Sequence, residues 1–330
     1  MNLPVGLSWR PATPDDADAI VVLQDACFEI DGGYREVAEE IRERFDSPML
    51  DVESDTLLGL DDTGAVMVSI WNYVVPEPVD SWKVYDDTYV HPDIRTPEIR
   101  DAVLDWWMQR ALERVSDDVA LPIEYHQHVY PATQQGEIAY LESRGFTPSI
   151  WFDELRRDLA QPIPKPAIPK GMTLVPFFDT PSDAALRARN DAFRDHRGSQ
   201  PWTRELWDDR INVTSRAPEA SFAVLEGETV VAYVWSGLYP QDWDDRGYSE
   251  GWIESVGTIR SHRGRGLARS VINAAMASFK AAGIEYATLE VDAENPTGAT
   301  GLYASLGFER VRGYIDYTLI VDPDTGSPHG

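Results

Sequence analysis

The sequence predicts an α/β fold built twice: two tandem copies of one unit, each a mixed β-sheet with helices on both faces. Three observations carry this. The same order of elements recurs on either side of a proline-rich stretch, AQPIPKPAIPKG from Ala160 to Gly171. Apolar residues recur at helical spacing at matching places in both halves. Each half also ends with a helix stopped by Gly and followed by an aromatic strand start, YLESRGF at Tyr140–Phe146 and LYASLGF at Leu302–Phe308.

The copies can be followed element by element. LSWRPATPDDADAIVVLQDACFE, from Leu7, is echoed by MTLVPFFDTPSDAALRARNDAFR, from Met172, each a short strand, a Pro/Asp turn and a helix. TLLGLDDTGAVMVSIWNYV, from Thr56, is echoed by SFAVLEGETVVAYVWSGLY, from Ser221; both read as hairpins with Gly between alternating apolar runs. Ile99, Val103, Trp107 and Ala111 form an apolar stripe with the four-residue spacing of an amphipathic helix. Leu267, Val271, Ala275 and Phe279 repeat it, and Gly283 closes that helix. The order in each copy is strand, helix, helix, antiparallel strands, helix, strand, helix, strand. The boundaries read from the sequence are 1–160 for the first domain, 161–171 for a stiff extended linker, and 172–330 for the second.

Composition narrows the function. The 330 residues hold 56 Asp+Glu against 29 Lys+Arg, a net charge of −27, which argues against a nucleic-acid partner. Only four of the basic residues are Lys, so cationic chemistry falls to arginine, whose planar fork suits phosphate and carboxylate. A single cysteine, Cys27, excludes an intrachain disulfide and a thiolate metal cluster, and it reads as a buried small hydrophobe. No signal peptide or membrane span is evident, and the expectation is a cytoplasmic protein with no membrane partner. His126 and His128 alternate on one strand and, with His91, raise a metal site. No carboxylate-rich loop or cysteine supports it, and no metal is expected.

Against this acidic background stands SHRGRGLARS, Ser261–Ser270. Arg260 to Arg269 holds four arginines and no acid, between a strand and a helix. Unpaired N–H groups at a helix N-terminus bind phosphate, glycine lets the anion approach the backbone, and Arg263 and Arg265 are placed to close over it. A Walker loop is excluded by spacing and by the missing lysine. A dinucleotide fingerprint is disfavoured because Arg269 stands where a third small residue is needed.

The run Arg263-Gly264-Arg265-Gly266-Leu267-Ala268 has the form R-x-x-G-x-A and resembles the acetyl-CoA signature of the GCN5-related N-acetyltransferases (GNAT). The family's later landmarks follow in order: a strand at Glu285–Asp292, Asn295, Tyr303 and Gly307-Phe308. The resemblance implies two tandem acyl-CoA N-acyltransferase domains, as in the family's tandem members, mycothiol synthases among them. It also implies acetyl-CoA as cosubstrate, with no metal. Its phosphates would lie on Arg263, Gly264, Arg265, Gly266, Leu267 and Ala268, its pantetheine arm along Val256, Gly257 and Thr258, with Asn295 bonding the arm or a helix end. Tyr303 is implied as the acid for the leaving thiolate. Glu254 is the candidate base, read as sharing a strand face with Val256 and Thr258, and Glu250 is the next choice. His196 and Trp202, with Arg197, lie where an acceptor would bind, in a segment that also reads as a loop capped at Thr203.

In the first half, Arg95-Thr96-Pro97-Glu98-Ile99-Arg100 stands opposite the signature and lacks both glycines. Thr133 stands opposite Asn295 and Leu141 opposite Tyr303. The expectation is a degenerate first domain and an active second one, transferring acetyl to a small-molecule amine, as a monomer or homodimer. Acyl transfer to oxygen, a longer acyl donor, and a non-catalytic CoA-binding sensor stay open.

Overall fold

A computed structural model of the chain describes residues 3–115, 121–196, 199–294 and 298–322. In chain order the first repeat gives β1 (Ser8–Arg10), α1 (Ala17–Asp31), α2 (Ala38–Glu43), α3 (Val52–Asp55), β2 (Thr56–Leu60) and β3 (Val66–Val74). It continues with β4 (Trp82–Asp86), β5 (Tyr89–Val90), α4 (Pro97–Arg114), β6 (Ile123–Val129), α5 (Gln135–Ser143) and β7 (Thr147–Asp158). The second repeat gives β8 (Met172–Pro176), α6 (Ser182–Ala192), α7 (Arg204–Ile211), β9 (Phe222–Glu226), β10 (Thr229–Leu238) and α8 (Trp243–Arg246). It ends with β11 (Glu250–Thr258), α9 (Leu267–Ala281), β12 (Tyr286–Asp292), α10 (Ala299–Ser305) and β13 (Glu309–Val321).

The local signals act as their chemistry requires. Val271, Ala275 and Phe279 on α9 are buried, as are Val103, Trp107 and Ala111 on α4. Removing one of the large ones, Phe279→Ala or Trp107→Ala, costs about 3–5 kcal/mol. Gly145 and Gly307 take φ of +89° and +85°. That left-handed turn lets Phe146 N–H reach Leu141 O at 3.0 Å and Phe308 N–H reach Tyr303 O at 3.1 Å, ending α5 and α10 identically.

The compact units are not the repeats. One unit comprises Met1–Ile150 and Tyr314–Gly330, the other Trp151–Gly313. The boundary differs from 1–160 and 172–330 because each unit takes its closing strand from the other repeat. In the first, residues 315–321 of β13 pair antiparallel with β6, from Ile315↔Val129 to Val321↔Ile123. In the second, residues 152–158 of β7 pair antiparallel with β12, from Phe152↔Asp292 to Asp158↔Tyr286. In each unit one pair is parallel, β4 with β6 and β11 with β12, and the other named ladders are antiparallel.

Each sheet has a core on both faces. In the second unit α9 covers one face through Leu267, Val271, Met276 and Phe279. On the other, α6 and α7 enclose Phe177, Trp207, Tyr233 and Trp235. The proline-rich stretch is not a free linker but a strap along α9. Ser270 Oγ accepts from Ala167 N–H at 3.2 Å and donates to Ala167 O at 2.9 Å. Lys280 Nζ donates to Leu159 O at 2.6 Å, and Ile163 and Ile168 pack on the core.

The histidines weighed as metal ligands have other partners. His126 Nδ1 lies 2.9 Å from Asp316 Oδ2, its Nε2 lies 3.5 Å from Glu124, and its ring stacks on Tyr85. Burial opposes a charge on His126, but Asp316 and Glu124 outweigh burial and raise its pKa. A raised histidine stabilises the fold fully below the unfolded value of about 6.5, and that contribution fades as pH climbs through the folded value. Asp316→Asn should therefore cost about 3 kcal/mol at acid pH and much less at alkaline pH. Urea unfolding across that range checks it; an unchanged pH slope refutes it.

Candidate active site

β11 ends at Thr258 and the chain reaches α9 through Gly264 and Gly266, both at φ +76°. A Cβ at either would meet nothing within 4 Å, so glycine is required there by conformation and not by space. The two left-handed turns bring the backbone into α9 with Gly266 as N-cap. The first N–H groups of that helix have no intrahelical acceptor, and its dipole adds positive charge there.

The arginines divide into two roles. Arg263 is not free to close over an anion: it donates to Asp195 at 3.0 Å, Ala192 O at 2.8 Å and Thr258 O at 3.3 Å. Arg260 also donates to Asp195, at 2.7 Å, and its backbone N–H to Asp191 at 2.8 Å. These two brace the cradle against the end of α6. Arg265 is exposed, and Arg269 bonds Ser305 Oγ on α10 at 2.6 Å.

Beside the cradle the parallel strands part. The β11–β12 ladder runs from Glu250↔Tyr286 to Trp252↔Thr288 and ends there, while β11 stays paired with β10 to Thr258 and β12 with β7 to Asp292. Ile259 N–H donates to Val231 O. By the alternation of an antiparallel ladder, Val256 and Thr258 then point their N–H groups away from β10, into the gap. Thr258 Oγ1 is buried without a hydrogen-bond partner. Gly257 sits over Tyr233, whose ring a Cβ would meet at 2.3 Å.

A bulge re-aims Glu254. Trp235 pairs with Ser255, but Ser236 pairs with Ile253, so β11 carries one extra residue at Glu254. Ile253 and Val256 both join the α9 core, and Glu254 turns to the opposite face. The reading of Glu254, Val256 and Thr258 as one face is corrected accordingly. Its carboxylate accepts from Tyr239 Oη at 2.7 Å and pairs with Arg216, whose guanidinium lies 6.0 Å from the Trp235 ring centre. Gly237 leaves room for it, since a Cβ there would come 2.0 Å from Glu254 Oε1.

Glu250 is enclosed at 1% exposure, bonded by Thr288 Oγ1 at 2.6 Å and Trp252 Nε1 at 3.2 Å and paired with Arg246 at 2.8 Å. Burial raises its pKa, against the pull of Arg246. It sits where β11 and β12 are still paired, opposite Tyr286.

Tyr303 lies on α10 in the α9-side core, edge-on to Phe308 at 5.9 Å, and burial pushes its phenol up to about 12. His196 packs on Phe193, and burial, with Arg263 next, lowers its pKa despite Asp292. Trp202 is held at both backbone ends by the Asn190 side chain, at 2.9 and 3.0 Å, with Arg189 stacked 3.8 Å from its ring centre. Thr203 caps α7 through Leu206 N–H at 3.1 Å. Asn295 and Arg197 lie outside the described residues.

Residues 183–308 match the Acetyltransferase (GNAT) family. Mycothiol acetyltransferase of Thermobispora bispora is 28% identical over 309 residues, 90% of this chain and 94% of that protein. Among solved structures, a GCN5-related N-acetyltransferase from Sphaerobacter thermophilus superposes with a TM-score of 0.70 at 25% identity over 97% of both chains. The second repeat matches the GNAT acetyltransferases, and the chain as a whole has the fold of tandem GNAT proteins. A tandem GNAT protein from the clavulanic acid biosynthesis pathway shares the fold, with a TM-score of 0.68 at 17% identity over 98% of this chain and 100% of that one.

GNAT enzymes take acetyl- or acyl-CoA as cosubstrate, and the second unit fits one. The left-handed glycines, open helix amides and unpartnered Thr258 hydroxyl suit a pyrophosphate with an amide-rich arm behind it. The first unit differs at the equivalent turn. Arg95 is held bidentately by Asp31 at 2.6 and 2.9 Å, Thr96 caps α4, and Pro97 opens it without an N–H. Sequence reasoning missed Arg216, Tyr239 and Asp195, which lie on segments without a motif.

A side chain held left-handed costs about 1–2 kcal/mol, so Gly264→Ala and Gly266→Ala should each weaken acetyl-CoA binding roughly 5- to 30-fold. Isothermal titration measures it, and undiminished affinity in both would remove the cradle from the site.

Proposed function

We propose that the chain moves an acetyl group from acetyl-CoA to the primary amine of a small molecule, through its second unit. The observation that carries this is the parting of β11 from β12 directly beside the two left-handed glycines of α9. Acetyl-CoA supplies the activated thioester. Gly264, Gly266 and the amides from Leu267 and Ala268 would take the phosphates, and Val256, Gly257 and Thr258 would line the arm. The Val256 N–H, which points into the gap, would donate to the thioester carbonyl oxygen as that oxygen gains charge.

Glu254 faces the acceptor side. Its carboxylate would draw in a cationic amine and take one proton from it through water, with Arg216 and Tyr239 fixing its position. The amine nitrogen then bonds the acetyl carbon as the carbon–sulfur bond breaks, Tyr303 gives its proton to the departing sulfur, and the second proton released by the nitrogen returns through water to the Tyr303 phenolate. A phenol near 12 stays protonated throughout the working range, so Tyr303 is always loaded as a donor. His196 and Trp202 stand on the same side as candidate acceptor contacts. Similarity to a mycothiol acetyltransferase supports acetyl as the group moved and leaves the amine itself to be found.

The test is a titration with acetyl-CoA followed by an amine screen. One site per chain, lost in Gly266→Glu, is expected; two sites would return cofactor binding to the first unit, and none would sink the reading. Tyr303→Phe should lower kcat roughly 10- to 100-fold with acetyl-CoA affinity kept. Gly237→Ala, which displaces Glu254, should lower kcat by about tenfold or more, about 1.4 kcal/mol. A variant that turns over normally in both cases refutes the assigned roles.

A further inference from the structure

The first unit has its own parting of parallel strands. The β4–β6 ladder ends at Tyr85↔His126, and the next residues on each strand, Asp86 and Gln127, flank a cavity of about 330 Å³ under α4 and α5. Drug-sized ligands occupy pockets of roughly 300–1,000 Å³, so this one admits a small molecule.

Charge bookkeeping identifies what it would hold. Of the cavity's acids, Asp31 is paired bidentately with Arg95, and Glu137 with Arg100 at 2.6 Å. Those pairs cancel. His128 lies 3.7 Å from Asp316, and burial lowers its pKa against the pull of that carboxylate. Among the described residues Asp86 accepts from the neutral Gln127 amide at 2.6 Å and has no cation paired with it. Burial raises Asp86 to about 7, and Asp87 and Glu137 push it the same way, so it lacks the cation that would hold it ionised. Gln127 spends its N–H on Asp86 and keeps its carbonyl oxygen to accept. Val103, Leu104 and Trp107 make an apolar wall beside this acceptor pair.

We propose that this cavity binds a small primary ammonium with an apolar body, the nitrogen on Asp86 and Gln127 and the body against Val103, Leu104 and Trp107. An anion would face an uncompensated carboxylate, and both arginines that would welcome it are already paired. A phosphate-bearing cofactor also lacks the glycine turn at Arg95–Pro97 that would admit it.

The probe is phenethylammonium chloride, with phenylacetate as the anion of similar shape, titrated calorimetrically into the full chain and its variants. Because the cation selects the ionised carboxylate, affinity at about pH 8 should exceed that at about pH 6 roughly tenfold. Asp86→Asn should remove this site at both pH values, and the site is read as the difference from the unmodified chain. Gly136→Leu provides a second variant without a charge change. Gly136 lines the cavity at the start of α5 and a Cβ there meets nothing within 4 Å, so a larger side chain can be placed at the cavity's edge without a clash at Cβ. Loss of the site in both variants, each melting near the unmodified chain, supports the proposal. Unchanged amine binding in either folded variant, tighter binding of phenylacetate, or displacement of the amine by coenzyme A overturns it.

Discussion

Parallel strands that stop pairing leave backbone N–H and C=O groups facing a gap, and buried backbone groups must be bonded to something. That constraint organises the second unit. β11 and β12 share only a three-pair ladder before they separate, and each then relies on its other neighbour, β10 or β7. A gap flanked by two well-anchored strands keeps its shape without a ligand. The extra residue at Glu254 serves the same opening by turning a carboxylate to one side of the sheet while Ile253 and Val256 stay packed on the other.

The acidic surface explains how the few cations are used. Arg260 and Arg263 spend themselves on Asp195 and on α6, which fixes the turn into α9, while Arg265 is exposed beside it. Arg216 and Arg246 each hold a carboxylate of β11, Glu254 and Glu250. Arginine here acts mainly as a brace between elements, a role its multi-donor plane suits better than lysine's point charge.

Where the sequence was legible, the signal was local. The glycine turn, the α9 stripe and the Gly-aromatic helix ends each depend on residues within a few positions, and each forms as its chemistry demands. The duplicated order of elements was equally visible. What stayed hidden was non-local. A bulge depends on the register of two strands, so the alternation from Glu254 to Thr258 misled. Asp195 and Arg216 act across folded distance, with no spacing to announce them. The strap looked like a linker because proline content reports stiffness, whereas its bonds to Ser270 and Lys280 come from α9.

The exchange of closing strands bears on how the chain is made. During synthesis the first repeat emerges complete in sequence yet incomplete in structure, because β6 receives its outer neighbour only from residues 315–321. Its edge stands open until the second repeat has also been made, and the His126 partner, Asp316, comes with that strand. The duplicated gene segment and the foldable piece have thereby ceased to coincide. A cut at the proline-rich strap would yield two fragments, each carrying the edge strand that the other's sheet uses.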